Sequence, residues 1–275
     1  MRAYLAEFLA DPKVVALPRW LWLPILHLFV LRTRPKRSAE KYAQIWTSGG
    51  SPLAVHTARQ AKLLGADHAM RYGEPSLRSA LEKNPALVLP LYPQYSESAT
   101  GSVLAMVKGP AIREFHDHPA YIDALAAVVR RHRKHPRLLM SFHGLPKRGG
   151  EEYEGQCRAT GNLLAEKLGL ADDEWLVTFQ SRFGAAEWLQ PYTQPTLEAL
   201  ARAGIAEVDV FCPGFVSDCL ETLEELGITA RAAFLAAGGR ELNLIPCLNE
   251  APEWIAALRR IASETPARPY TAHAG

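Results

Sequence analysis

Leu-Leu-Met-Ser-Phe-His-Gly-Leu-Pro, residues 138–146, is the stretch on which the fold turns. The apolar run has no period-two alternation and is bounded by the turn formers Pro136 and Gly144, so it reads as a parallel strand covered on both faces. It stops at His143. In an open α/β sheet the carboxyl ends of the strands form the rim where ligands bind. An imidazole held there can accept a proton near neutral pH or touch a metal ion. A hydrogen-bonded loop histidine is the plainer alternative.

Outward from this stretch, apolar runs alternate with helical patterns. Residues 86–91, 138–142, 175–179 and 207–212 read as strands, and 77–83, 120–132, 159–168 and 195–203 as helices. That alternation predicts parallel α/β construction. Several strands run straight into turns: Leu-Tyr-Pro-Gln-Tyr-Ser at 91–96, Phe-Gln-Ser-Arg-Phe-Gly at 179–184 and Cys-Pro-Gly-Phe at 212–215. No G-x-G-x-x-G follows a strand and no P-loop occurs, which argues against a ligand held by its pyrophosphate. Asp-His-Pro at 117–119 marks a boundary before a long helix.

Composition sets broad limits. With 275 residues, 48% hydrophobic, 22% charged and a net charge of +2, the chain is ordinary globular material without the basic stripe of a nucleic-acid binder. Cys157, Cys212, Cys219 and Cys247 show no C-x-x-C spacing, as expected for reduced thiols in a cytoplasmic protein. The chain opens on an amphipathic helical pattern rather than a secretory signal. The apolar segment 20–31 is too short for the roughly 20 residues of a spanning helix. Trp20 and Trp22 at its start and Arg32, Arg34, Lys36 and Arg37 beyond its end suit either an interfacial segment or a core helix with a solvated basic end.

Phe215 to Leu226 reads as a helix opening after a strand, with Ser217 or Asp218 as cap. Asp218, Glu221 and Glu225 then fall at i, i+3 and i+7 on one helical face. Such a row suits a divalent cation passing between hard oxygen donors, although an acidic first turn or a solvated face gives the same pattern. Arg34, Tyr42 and Ser51 offer a cation and two hydroxyls near the apolar segment, fitting for carboxylates on an otherwise greasy molecule. Surface residues would look the same.

The blocks Ser-Phe-His-Gly-Leu-Pro (141–146), Thr-Phe-Gln-Ser-Arg-Phe-Gly (178–184), Trp-Leu-Gln-Pro-Tyr-Thr (188–193), Cys-Pro-Gly-Phe (212–215) and Asp-Cys-Leu-Glu-Thr-Leu-Glu-Glu (218–225) resemble ferrochelatase. So do Ala-Met-Arg-Tyr-Gly (69–73), the 91–96 block and the Trp-rich opening. The resemblance implies an α/β fold of two Rossmann-like, chelatase-type halves, each a parallel sheet flanked by helices, with the active-site cleft between them. It divides the chain into 1–119 with an apolar porphyrin lip at 20–31, 120–250 with the metal-site residues, and a C-terminal helix at 251–268 returning to the first half. It also implies insertion of Fe²⁺ into protoporphyrin IX, a lyase reaction and the last step of haem biosynthesis. By the same resemblance His143 and Glu221 are the catalytic and metal-site pair, Asp218 and Glu225 the acidic row behind it, and Arg34, Tyr42 and Ser51 the porphyrin contacts.

Departures from the family pattern are part of the reading. The family places a strand and a Leu-Gly-Thr-Pro-type turn ahead of the helix at 2–9, and neither stands here, so the first sheet is expected to be one strand short. Loops around 61–70 and 107–113 are expected to be trimmed. Some relatives bind a [2Fe–2S] cluster through a cysteine where this chain has Glu97 and through a C-terminal extension; no such cluster and no resident cofactor are expected. Cys219 stands where certain relatives have histidine. The remaining alternatives are an impaired porphyrin- or haem-binding relative, a coproporphyrin ferrochelatase, a cobalt or nickel chelatase, and a membrane-surface protein using residues 20–37. A cytoplasmic monomer, touching the inner face of a membrane at most peripherally, is expected.

Overall fold

The computed structural model describes residues 1–15, 17–184 and 186–269. Its centre is a parallel sheet of four strands, β2 (Leu138–His143), β3 (Trp175–Gln180), β4 (Glu207–Phe211) and β5 (Glu241–Leu244), in the order β3-β2-β4-β5. Every residue of β2 is paired with β3, from Leu138 opposite Trp175 to His143 opposite Gln180. Its first three residues also pair with β4. Leu138, Met140 and Phe142 belong to one core, shared with α7 (Pro119–His132), α8 (Glu151–Leu168) and α11 (Pro252–Glu264). Leu139 points into a second core, with Val208, Val210, Leu197 of α9 (Thr193–Arg202), Leu226, and Phe234 of α10 (Arg231–Ala236). The doubly covered strand is as the apolar run predicts, because a strand with helices on both faces has no polar side to alternate with.

Helices connect the successive strands. After β3 the chain returns past β2 to form β4 on its other side, so the switch point of the sheet lies between the carboxyl ends of β2 and β4. Asp-His-Pro is a helix start rather than a bare boundary. His118 Nδ1 accepts from Ala120 N at 3.2 Å, and Pro119 occupies the first helical position, where its missing N–H is no loss.

The first half is mostly helical: α1 (Arg2–Ala10), α2 (Arg19–Ile25), a π-helical turn at Leu26–Val30, α3 (Leu31–Ala43), α4 (Pro52–Leu64), and the short α5 (Leu77–Leu81) and α6 (Ser102–Leu104). The expected sheet of this half is not formed among the described residues. The predicted strand at 86–91 is reduced to one parallel bridge, in which Val88 N donates to Pro110 O and Ile112 N donates to Val88 O. Pro85, Pro90 and Pro93 remove the backbone donors around it, which shortens any ladder there. The two-residue strands β1 (Pro110–Ala111) and β6 (Arg268–Pro269) pair antiparallel beside that bridge.

Helix α4 joins the N-terminal helices to the loops and helix that follow the sheet. Gln60, only 1% exposed, donates from Nε2 to Ser217 Oγ at 2.8 Å and accepts from Trp254 Nε1 at 3.3 Å. His56 Nδ1 lies 2.9 Å from Glu250. The C-terminal helix α11 packs chiefly on α7 and also reaches α4. At Gly161 of α8 a Cβ would sit 2.6 Å from Val177 Cγ2, so helix and sheet touch at backbone range there. Gly161→Ala should destabilise the fold by about 1–3 kcal/mol in urea unfolding, with the overpacked core as the cause.

Candidate active site

His143 sits at the switch point, at the last position of β2. Its Nδ1 lies 2.6 Å from the carbonyl oxygen of Gly144. A carbonyl only accepts, so Nδ1 carries the hydrogen and the Nε2 lone pair is left for a proton or a metal ion. Tyr153 Oη donates to the His143 carbonyl at 2.9 Å, and the Phe215 ring lies 6.4 Å from the imidazole. The turn after His143 demands glycine, because a Cβ on Gly144 would meet Gln180 O at 2.7 Å and Trp188 Cε3 at 3.2 Å. The loop bearing Trp188 is pinned there by Leu189 N donating to Leu145 O.

The segment after β4 differs from the helix read in the sequence. Residues 215–219 are not helical, and Glu221–Ala230 is π-helical. The three acids of the expected row therefore part company. Asp218 lies ahead of the helix, buried, and its carboxylate accepts from Asn249 Nδ2 at 2.6 Å, Thr222 Oγ1 at 3.0 Å and Cys247 N at 3.4 Å. Glu225 accepts from Ser181 N and Ser181 Oγ, both at 2.6 Å, with Ser181 in the left-handed region at φ 64°. Glu221 is the acid turned towards the first half, where its charge reaches Tyr4, Tyr42 and Tyr92. Glu224 is buried, holding Lys41 Nζ of α3 at 2.8 Å and Thr229 Oγ1 at 3.0 Å.

Burial, then the negative charge of Glu221, pushes the Tyr42 phenol up to about 12. Burial, then Tyr42 and Glu221, moves Tyr4 further in the same direction. Both phenols thus stay neutral at working pH and can donate hydrogen bonds. Cys219 is buried beside Glu221, and both burial and that carboxylate hold it as a thiol rather than a thiolate. Burial does the same for Cys212 and Cys247, whose sulfurs feel Asp218 as well.

Of the porphyrin contacts expected from the sequence, Tyr42 lies within reach of the Glu221 charge, with its ring edge-on to Trp46 at 6.0 Å. Arg34 is exposed on α3. Ser51 is engaged as the N-cap of α4, accepting from Ala54 N at 3.3 Å. Tyr4, Lys41 and Gln180 also stand beside the candidate pair, and nothing in the sequence singles them out. In sequence Tyr4 looks like the flank of an amphipathic helix, and Gln180 is one polar residue of the Phe-Gln-Ser-Arg block.

A family model named Ferrochelatase matches residues 1–265. The chain belongs to the ferrochelatase family. A protein named Ferrochelatase from Azoarcus sp. (strain BH72) is 54% identical over 299 residues, covering 96% of this chain and 82% of that one. Ferrochelatase from Aromatoleum aromaticum is 54% identical over 297 residues, covering 95% and 81%. These alignments are longer than the 275-residue chain, so both relatives carry residues inside the matched span that this chain lacks. Among solved structures, SirB from Bacillus subtilis with Fe³⁺ superposes with a TM-score of 0.52 at 13% identity, covering 77% of this chain and 89% of that one. That likeness concerns the fold, and it matches the parallel sheet flanked by helices.

The hydrogen bonds of Asp218 mark it as a strut rather than an open ligand. Asp218→Ala should lower stability by about 2–4 kcal/mol in urea unfolding, since it strands several buried donors. A carboxylate kept only for metal would leave stability unchanged or raise it on removal.

Proposed function

We propose that the chain inserts Fe²⁺ into protoporphyrin IX, with His143 as the base that accepts pyrrole protons and Glu221 as the acid that receives the hydrated ion. Metal insertion exchanges two pyrrole protons for one divalent ion. It needs a proton acceptor on the ring, donors that replace water on the metal, and a cleft that strains the flat macrocycle. The observation that carries the reading is the pairing at the switch point. An imidazole with its Nε2 lone pair unengaged among the described residues leaves β2, and an acid facing neutral tyrosines leaves β4. Tyr42 and Tyr4 suit the ring periphery as hydrogen-bond donors, and Arg34 suits a propionate.

Several finer points belong to the same proposal. Protoporphyrin is favoured over coproporphyrin because the lip presents Trp20, Leu21, Ile25, Leu28 and Phe29 as exposed apolar side chains. No resident cofactor is required: Glu97, at the cluster-cysteine position of some relatives, is engaged by Lys13 and by Tyr95 Oη. No helix among the described residues is long and apolar enough to cross a membrane. Trp20 at 78% and Phe29 at 67% exposure, followed by Arg32, Arg34, Lys36 and Arg37, favour a lip that rests on an anionic bilayer surface.

Anaerobic absorbance assays of Fe²⁺ or Zn²⁺ insertion into protoporphyrin and coproporphyrin test the reaction. Insertion by the wild-type chain, with turnover lower by about 10²–10⁴-fold in His143→Ala, is the expected result. Tight porphyrin binding without insertion would favour the binding-only alternative, which the reduced first sheet makes concrete. For the lip, co-sedimentation with phosphatidylserine vesicles should fall in Trp20→Ala/Phe29→Ala and at high salt, while neutral vesicles should bind less. Equal sedimentation of wild type and double variant would reject the bilayer contact.

A further inference from the structure

Gln180 touches both halves of the candidate pair. It is 4% exposed at the end of β3, directly opposite His143 in the parallel ladder. Its backbone carbonyl accepts from Gly144 N at 2.8 Å, which fixes the turn that aims the imidazole. Its side chain reaches the other way, with Nε2 donating to the Glu221 carbonyl at 2.7 Å. The amide orientation is set by chemistry, because the Glu221 carbonyl only accepts while Oε1 receives Ser141 Oγ at 2.7 Å and the Cys212 thiol at 3.8 Å. Ser141 Oγ in turn lies 2.8 Å from Thr193 Oγ1, which donates to Thr178 Oγ1 at 2.9 Å. The network is buried and anchored in the sheet and the start of α9, so Gln180 has little freedom to move.

The next residue repeats the grip one turn along. Ser181 holds the Glu225 carboxylate through both its backbone N–H and its hydroxyl. The end of β3 thus holds the π-helix at Glu221 through a backbone carbonyl and at Glu225 through a carboxylate. The Glu221 side chain itself is left unheld by this clamp.

We infer that Gln180 is a positioning residue for metal insertion, setting Glu221 against His143 by holding the Glu221 carbonyl and the Gly144 amide at once. This rests on the reading of His143 and Glu221 given above. Loss of the donor lets the first turn of the π-helix drift, and drift of this kind costs turnover while leaving the porphyrin contacts on α3 in place.

The test uses the full chain with Gln180→Leu, which removes the donor, and the near-isosteric Gln180→Glu. In the second variant the carboxylate repels the Glu221 carbonyl when ionised and donates to it when protonated. Both variants should bind protoporphyrin, measured by tryptophan fluorescence quenching, within about twofold of wild type while kcat falls by about 10–100-fold. Relative to wild type, Gln180→Glu should regain turnover as pH is lowered and Gln180→Leu should not. Adding Gln180→Leu to Glu221→Gln should cost little more, because both changes act through one group. Unchanged kcat in folded Gln180→Leu, or a fully additive loss in the double variant, would overturn the inference. Full activity in Glu221→Gln alone would overturn the underlying reading as well, and that single variant shows which has failed.

Discussion

The burial of β2 on both faces is what the site depends on. Helices α7, α8 and α11 cover one side of this strand, and α9, α10 and the π-helix the other. A strand held between two layers and paired along both edges has no room to shift register, since a slip of one residue would exchange its two faces. His143 is the end of that strand, and its imidazole inherits the rigidity of the sheet. The parts opposing it are held less uniformly. Glu221 rises from a π-helix fastened by side-chain hydrogen bonds, and Tyr42 from a lip helix tied to that π-helix by Lys41 and Glu224.

This division suits metal insertion. The base must meet a fixed point on the ring, whereas the macrocycle has to enter, bend and leave between the lips. The core of the lip, built on Leu5, Leu9, Leu26 and Leu31, is separate from the two sheet cores. The packing of the lip is thus independent of the packing of β2, and Lys41–Glu224 ties it to the π-helix.

Much of this architecture was legible in the sequence, for a physical reason. Strands β2 and β3 announce themselves because buried parallel strands are nearly continuous apolar runs, and β4, Glu-Val-Asp-Val-Phe, because its valines run through Phe211 and Cys212 into the Pro-Gly turn. β5, Glu-Leu-Asn-Leu, is not legible, because an edge strand of four residues with polar alternation gives little signal. The predicted α8 began eight residues late, since Glu151–Arg158 is polar and contains Gly155. In the candidate site, His143 stands out in the sequence because it ends an apolar run, whereas Glu221 is singled out only by the family resemblance. The spread of the acidic row could not be foreseen. It follows from Asn249 and Cys247, some thirty residues further along, drawing Asp218 away, and from Ser181 drawing Glu225. Tyr4 comes near Tyr42 and Glu221 only through tertiary packing of α1.

The buried thiols carry a last consequence. Cys212, Cys219 and Cys247 gather around Asp218 and Glu221, and burial with negative neighbours keeps all three protonated. A protonated, solvent-shielded sulfur is a poor ligand for a passing ferrous ion and a poor target for peroxide. The sulfur beside the candidate site is thereby kept in its inert form, the form least able to trap a soft or borderline metal ion or to be oxidised.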